Sequence, residues 1–88
     1  MTNIYFISDG VNIKIGKSKN PKKRVNQLQT SNTNKLQILY VLENVEDFFE
    51  REIHQTCSRY HINGEWFDKD VLEFLMKFDF YKENLKHP

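Results

Sequence analysis

The chain has 88 residues, which suits one small domain burying roughly 60–65% of its unfolded surface. Lys and Arg number 13 against 12 Asp and Glu, so the formal net charge of +1 excludes any argument from overall polycation character. A 14% aromatic share concentrates burial in a few large rings, and Phe6, Phe49, Trp66, Phe67, Phe74 and Phe78 are expected to dominate the core.

The first element in chain order is a strand. Ile4, Tyr5, Phe6 and Ile7 form a β-prone run closed by Ser8-Asp9-Gly10, after which Val11, Ile13 and Ile15 alternate with Asn12 and Lys14. That pattern predicts a hairpin. Side chains alternate across a strand, so Lys14 points away from the face carrying Ile13 and Ile15 and is available to a ligand. Asn20-Pro21 starts a helix, because the Asn side chain accepts a first-turn amide and proline has no amide to lose. The helix is expected to reach Thr30. Val25 and Leu28 anchor it, Lys22, Lys23, Asn26 and Gln27 lie outside, and Arg24 sits at the margin of the buried face.

After a turn over Ser31 to Asn34, the run from Leu36 to Leu42 is apolar enough on both faces to predict a central third strand. A second helix is expected from Val45 to Tyr60, with Phe49, Ile53 and Cys57 as its core stripe. Asn63-Gly64 is a turn, Glu65-Trp66-Phe67 a short extended piece, and Asp68 caps a third helix carrying Val71, Leu72, Leu75 and Phe78. The predicted fold is α+β, an α/β sandwich with a small central three-stranded antiparallel sheet flanked by three helices. The domain covers residues 1–78, and a polar tail over 79–88 is expected to fray.

Charge distribution says more than the sum. Lys14, Lys17, Lys19, Lys22, Lys23 and Arg24 crowd one stretch beside Gly16 and a helix start, an arrangement suited to an anion. Tyr5 and Lys14 sit on paired strands, and Arg24 reaches the same space from the next helix. The distant Gly64-Glu65-Trp66-Phe67 segment adds a carboxylate. Phosphodiester hydrolysis needs a proton acceptor, positive charge on the phosphoryl oxygens and stabilisation of the leaving oxygen. Arg24 suits the non-bridging oxygens through its planar fork. Glu65 suits Mg²⁺ or Mn²⁺, and Mg²⁺ keeps several waters and needs few carboxylates. Neighbouring cations are expected to favour the Tyr5 phenolate. Cys57 is the only cysteine, so a reduced, intracellular setting is expected.

This order of elements and residues resembles the GIY-YIG nuclease superfamily, in particular its compact phage-type branch, over about Ile4 to Phe67. Asn3-Ile4-Tyr5 stands where the family has GIY, and Lys14-Ile15-Gly16 stands where it has YIG. Arg24 falls at the helix arginine, and Glu65 of GEWF at the metal-binding glutamate. Asn3 replaces the first glycine and Lys14 the second tyrosine, a position where some members carry lysine.

The resemblance implies a metal-dependent endonuclease acting on DNA, with Tyr5 as general base, Lys14, Arg24 and Glu65 around the phosphate, and Glu65 holding the cation. Gly16, Gly64 and Trp66 are expected to shape the structural motif, and the clustered Lys17, Lys19, Lys22 and Lys23 to bind the DNA phosphates. The phage-type branch is similar in carrying a helix-two glutamate and histidine, here Glu50 and His54 at i, i+4. His54 would orient Tyr5 or relay its proton, or is an ordinary half-exposed histidine; Glu50 reads as structural. Trp66 and Phe67 are expected to plug the third helix. Neither a membrane nor a small-molecule cofactor is expected, and the host cytoplasm is the setting if a phage encodes the chain. A homodimer or a protein partner stays open. The alternative is an inactive module of the same shape that binds nucleic acid or a protein, motivated by the near-neutral net charge.

Overall fold

The computed structural model of the chain describes residues 1–88. Strands β1 (Thr2–Ser8) and β2 (Ile13–Ser18) form the expected hairpin, in register through Tyr5 opposite Gly16 and Ile7 opposite Lys14. Its turn is built by side chains. The Asp9 carboxylate accepts from the amides of Val11 and Asn12 at 2.9 and 2.8 Å, and Ser8 Oγ accepts from the Gly10 amide at 3.0 Å. Gly10 carries φ +95°, which a Cβ would disfavour.

Helix α1 (Pro21–Gln29) starts where Asn20 Oδ1 accepts from the Lys23 amide at 3.2 Å. It leads to β3 (Gln37–Val45), which pairs antiparallel with β1. Then follow α2 (Phe49–Thr56), a 3₁₀ turn (Ser58–Tyr60), β4 (His61–Asn63), β5 (Trp66–Phe67), α3 (Val71–Leu75) and α4 (Asp79–Asn84).

The sheet therefore has five antiparallel strands rather than three, in the order β3-β1-β2-β5-β4, and four helices rather than three surround it. The GEWF segment, expected as an isolated extended piece, is itself a strand against β2. β3 lies at an edge instead of the centre. Its free side is taken by the C-terminal residues: Val41 and Lys86 exchange two backbone hydrogen bonds of 2.8 and 3.0 Å, and the His87 ring lies 4.6 Å from that of Tyr40. That docking, with Tyr81 and Leu85 buried, is why residues 79–88 pack rather than fray.

Two apolar layers result. The larger joins Ile4, Phe6, Ile13 and Ile15 to Ile53 and Cys57 of α2, Val71 and Leu75 of α3, and Tyr81 and Leu85. The smaller holds Tyr5, Ile7, Val25 of α1 and Leu36, with Trp66 at its margin. Phe6 and Phe67 are fully buried as expected, whereas Phe78 is 42% exposed because α3 stops at Leu75. Helix α2 is also shorter than its apolar stripe predicts, closing into the 3₁₀ turn after Cys57.

Candidate functional site

The strand pleat sends Tyr5 and Ile7 of β1 to one side of the sheet together with Lys14 and Gly16 of β2. β5 completes the corner: Phe67 pairs with Ile13, Trp66 with Lys14, and the Ile15 amide donates to the Glu65 carbonyl at 2.9 Å. Gly64, at φ +51°, makes the turn from β4 to β5 that presents Glu65. The His61 ring steadies this turn by donating from Nε2 to the Gly64 carbonyl at 2.9 Å.

Glu65 Oε1 lies 3.3 Å from Lys14 Nζ, and that ammonium lies 5.5 Å from the centre of the Trp66 ring. The Lys14 side chain is 15% exposed and that of Glu65 39%. Gly16 provides the space in which the groups meet. A Cβ there would collide with the Tyr5 hydroxyl and lie 2.8 Å from Glu65 Oε1, so the phenol and the carboxylate converge over a glycine.

Tyr5 is 1% exposed, its ring packed in the smaller layer and its hydroxyl in this polar corner. Burial pushes its pKa above the ordinary 10.0, Glu65 and Glu50 push it further, and Arg24 opposes them. The expectation that nearby cations favour the phenolate is thereby corrected. Desolvation and two carboxylates outweigh one guanidinium, and the phenol is held protonated. Arg24 itself projects from the first turn of α1 and is exposed, with its guanidinium close enough to act on the Tyr5 hydroxyl.

Sequence reasoning undervalued Glu50. β5 is so short that β2 loses its neighbour after Ile15, while the outward backbone groups of Ile15 and Lys17 still need partners. Helix α2 supplies them with side chains. His54 Nε2 donates to the Ile15 carbonyl at 2.9 Å, and the Lys17 amide faces the Glu50 carboxylate. Glu50 Oε2 is buried with no hydrogen-bond partner. Burial raises the Glu50 pKa, Glu65 raises it further, and His54 and Lys17 work against both. The Glu50–His54 spacing was the available signal, but the free strand edge that makes it matter is a tertiary feature.

His54 thus bonds the β2 backbone, not the Tyr5 hydroxyl, which corrects its expected place as an orienter or relay for that residue. Trp66 is likewise on the Tyr5 side, beside Lys14, while Phe67 alone points under the helices. Lys19, Lys22 and Lys23 are exposed around the start of α1, and Lys17 Nζ reaches only the Asp47 carbonyl, at 3.4 Å. The ion pairs of the molecule are Lys14–Glu65 and Lys86–Glu43, leaving these cations and Arg24 unpaired. Cys57 is a buried thiol with its pKa pushed up to about 12 and takes no part.

No three His, Cys, Asp or Glu side chains cluster tightly enough to hold a cation by themselves. The half-exposed Glu65 and the unpartnered oxygen of Glu50 are hard donors whose charges act on one another, a donor pair of the kind that suits an ion such as Mg²⁺ that keeps most of its water.

The fold is a small α+β domain whose sheet brings a tyrosine, a lysine and a carboxylate together over Gly16. The chain belongs to the T5orf172 domain family, a phage-associated, nuclease-like family whose model matches residues 2–79. No curated protein and no solved structure matches the chain. No helix is long and apolar enough to cross a membrane.

Proposed function

We propose that the protein is a small endonuclease of the GIY-YIG type that hydrolyses DNA phosphodiester bonds with a divalent cation, Mg²⁺ or Mn²⁺. The observation that carries the reading is the convergence of the Tyr5 hydroxyl and the Glu65 carboxylate over Gly16, with Lys14 and Arg24 alongside. Unpaired cations on α1 supply the approach of a polyanion, and family membership supplies the nuclease-like class.

Arg24 takes two non-bridging phosphoryl oxygens with its planar fork. Tyr5, having released its own proton to solvent, accepts a proton from the attacking water. The new P–O bond forms as the P–O bond to the leaving sugar oxygen breaks, and that oxygen takes its proton from solvent water. Glu65 and Glu50 would hold the cation, which would supply charge stabilisation on the phosphoryl group. Lys14, beside Glu65 at the same corner, would add a second positive charge next to Arg24 on the phosphate.

A second reading, a module that binds DNA without cutting it, is favoured by two observations: the Lys14–Glu65 pair and the protonated Tyr5 both oppose chemistry in the free chain. One assay separates them. Supercoiled plasmid is incubated with the chain and Mg²⁺ or Mn²⁺ beside Tyr5→Phe and Glu65→Ala variants. Metal-dependent nicking by the wild-type chain alone is expected. Salt-sensitive binding by all three with no nicking in either metal supports the second reading.

A further inference from the structure

We infer that His54 is a positioning residue: its hydrogen bond to the Ile15 carbonyl docks α2 on the free edge of β2 and thereby holds Glu50 in the cation-binding corner. The consequence for a cation rests on the two-carboxylate reading above. The docking itself rests on backbone geometry.

In a strand the amide and carbonyl of one residue point to the same edge, so Ile15 turns both towards the outer side of β2. Its amide donates to the Glu65 carbonyl at 2.9 Å and its carbonyl accepts from His54 Nε2 at 2.9 Å. One residue beside Gly16, Ile15, therefore anchors the segments bearing both carboxylates, Glu65 directly and Glu50 through the helix turn between it and His54. A carbonyl can only accept, so Nε2 carries the hydrogen. The ring is also fixed sideways, edge-on to the buried Phe67 at 4.9 Å between centroids. Glu50 gains little for the fold from this placement, since Oε2 is left buried and unpartnered. A helix held so as to strand a carboxylate oxygen beside a second carboxylate is a holder for something positive. Partners that orient metal ligands affect affinity by about 10–100-fold, and His54 stands in that relation to Glu50.

Two measurements on the full chain test this. In the metal-free protein at neutral pH, long-range proton–nitrogen correlation spectra read which His54 nitrogen bears the hydrogen. Nε2–H is expected, and Nδ1–H overturns the inference whatever the cation does. Mn²⁺ titration followed by electron paramagnetic resonance reads affinity, with circular dichroism confirming the fold of each variant. His54→Ala should weaken binding by about 10–100-fold, while His54→Gln, whose amide still reaches the carbonyl, should stay within about threefold. Equal affinity of His54→Ala and the wild-type chain overturns the inference. If the wild-type chain takes up no Mn²⁺, the cation reading fails and the docking is judged on backbone amide shifts. Displacement of the Gly16, Lys17 and Glu65 amides in His54→Ala then supports it, and unmoved shifts overturn it.

Discussion

Ile4 and Phe6 point into the layer closed by α2, α3 and α4, whereas Tyr5, between them, points with Lys14 and Gly16 to the side partly covered by α1. One side is filled by aliphatic and aromatic carbon. The other gathers a phenol, an ammonium, a carboxylate and a guanidinium, with the Glu50 carboxylate at the adjoining edge of β2, and it keeps a glycine where a side chain would close the space. The same two strands thus serve stability on one face and chemistry on the other, and the separation is a single residue step. Substitutions on the two faces should accordingly fail in different ways.

The largest contrast is between Tyr5→Phe and Phe6→Ala. Losing the hydroxyl should reduce metal-dependent cleavage by about 10²–10⁴-fold, the usual worth of a positioned acid or base, while the thermal midpoint barely moves. Removing the neighbouring ring should instead destabilise the fold by about 3–5 kcal/mol in urea titration. Similar stability losses in both would erase the distinction between the faces. Arg24→Ala belongs with Tyr5→Phe, with a rate loss of at least about 10²-fold and an unchanged fold.

Gly16→Ala tests the space itself. The added methyl group must displace Tyr5 or Glu65, so cleavage should be abolished, and the strain should reduce stability by about 1–3 kcal/mol. A fully active alanine variant would mean that the two groups need not meet there.

The pH dependence of rate sharpens the role of Tyr5. Its pKa is raised in the free chain, so the deprotonated form is scarce at neutral pH. Single-turnover cleavage should climb about tenfold per pH unit above neutrality, the slope of one required deprotonation. A flat profile would remove Tyr5 as the proton acceptor.

Glu50→Gln should show the opposite of ordinary core damage. The folded-state pKa of Glu50 lies above its usual 4.5, so in the pH window between the unfolded and folded values the native chain holds a proton there that the unfolded chain has released. Stability is therefore fully present below the unfolded pKa and is lost as pH rises through the folded one. The glutamine variant should be at least as stable as the wild-type chain at neutral pH, with that part of the pH slope gone, and should lose Mn²⁺ affinity. Lower stability together with normal cation affinity would return Glu50 to a structural part.

Much of this was legible in the residues. Asp9 and Gly10 name their turn, Asn20 and Pro21 name a helix start, and the alternation of Ile13, Lys14 and Ile15 separates core from ligand side. Strands of two and three residues, such as Trp66–Phe67 and His61–Asn63, carry no period to read, so the five-stranded sheet was not visible. The docking of Lys86 on Val41 joins residues far apart in the chain and has no local signal. The direction of the Tyr5 shift depends on burial, and charge counting alone gave the wrong sign.

The smallest expected effect is on the outer cations. Lys23→Ala should weaken DNA binding a few-fold for every sequence and lower the salt slope by about one, with no change in folding, since this side chain is exposed and unpaired. An unaltered slope would place the DNA elsewhere.

A crystal of the chain soaked in Mn²⁺ tests the central claim most directly, because the cation scatters anomalously. The account predicts one peak between the Glu65 and Glu50 carboxylates at the Gly16 corner, with the Tyr5 hydroxyl facing it and Lys14 displaced from Glu65. Manganese bound away from both carboxylates, with the Lys14–Glu65 pair intact, would contradict it.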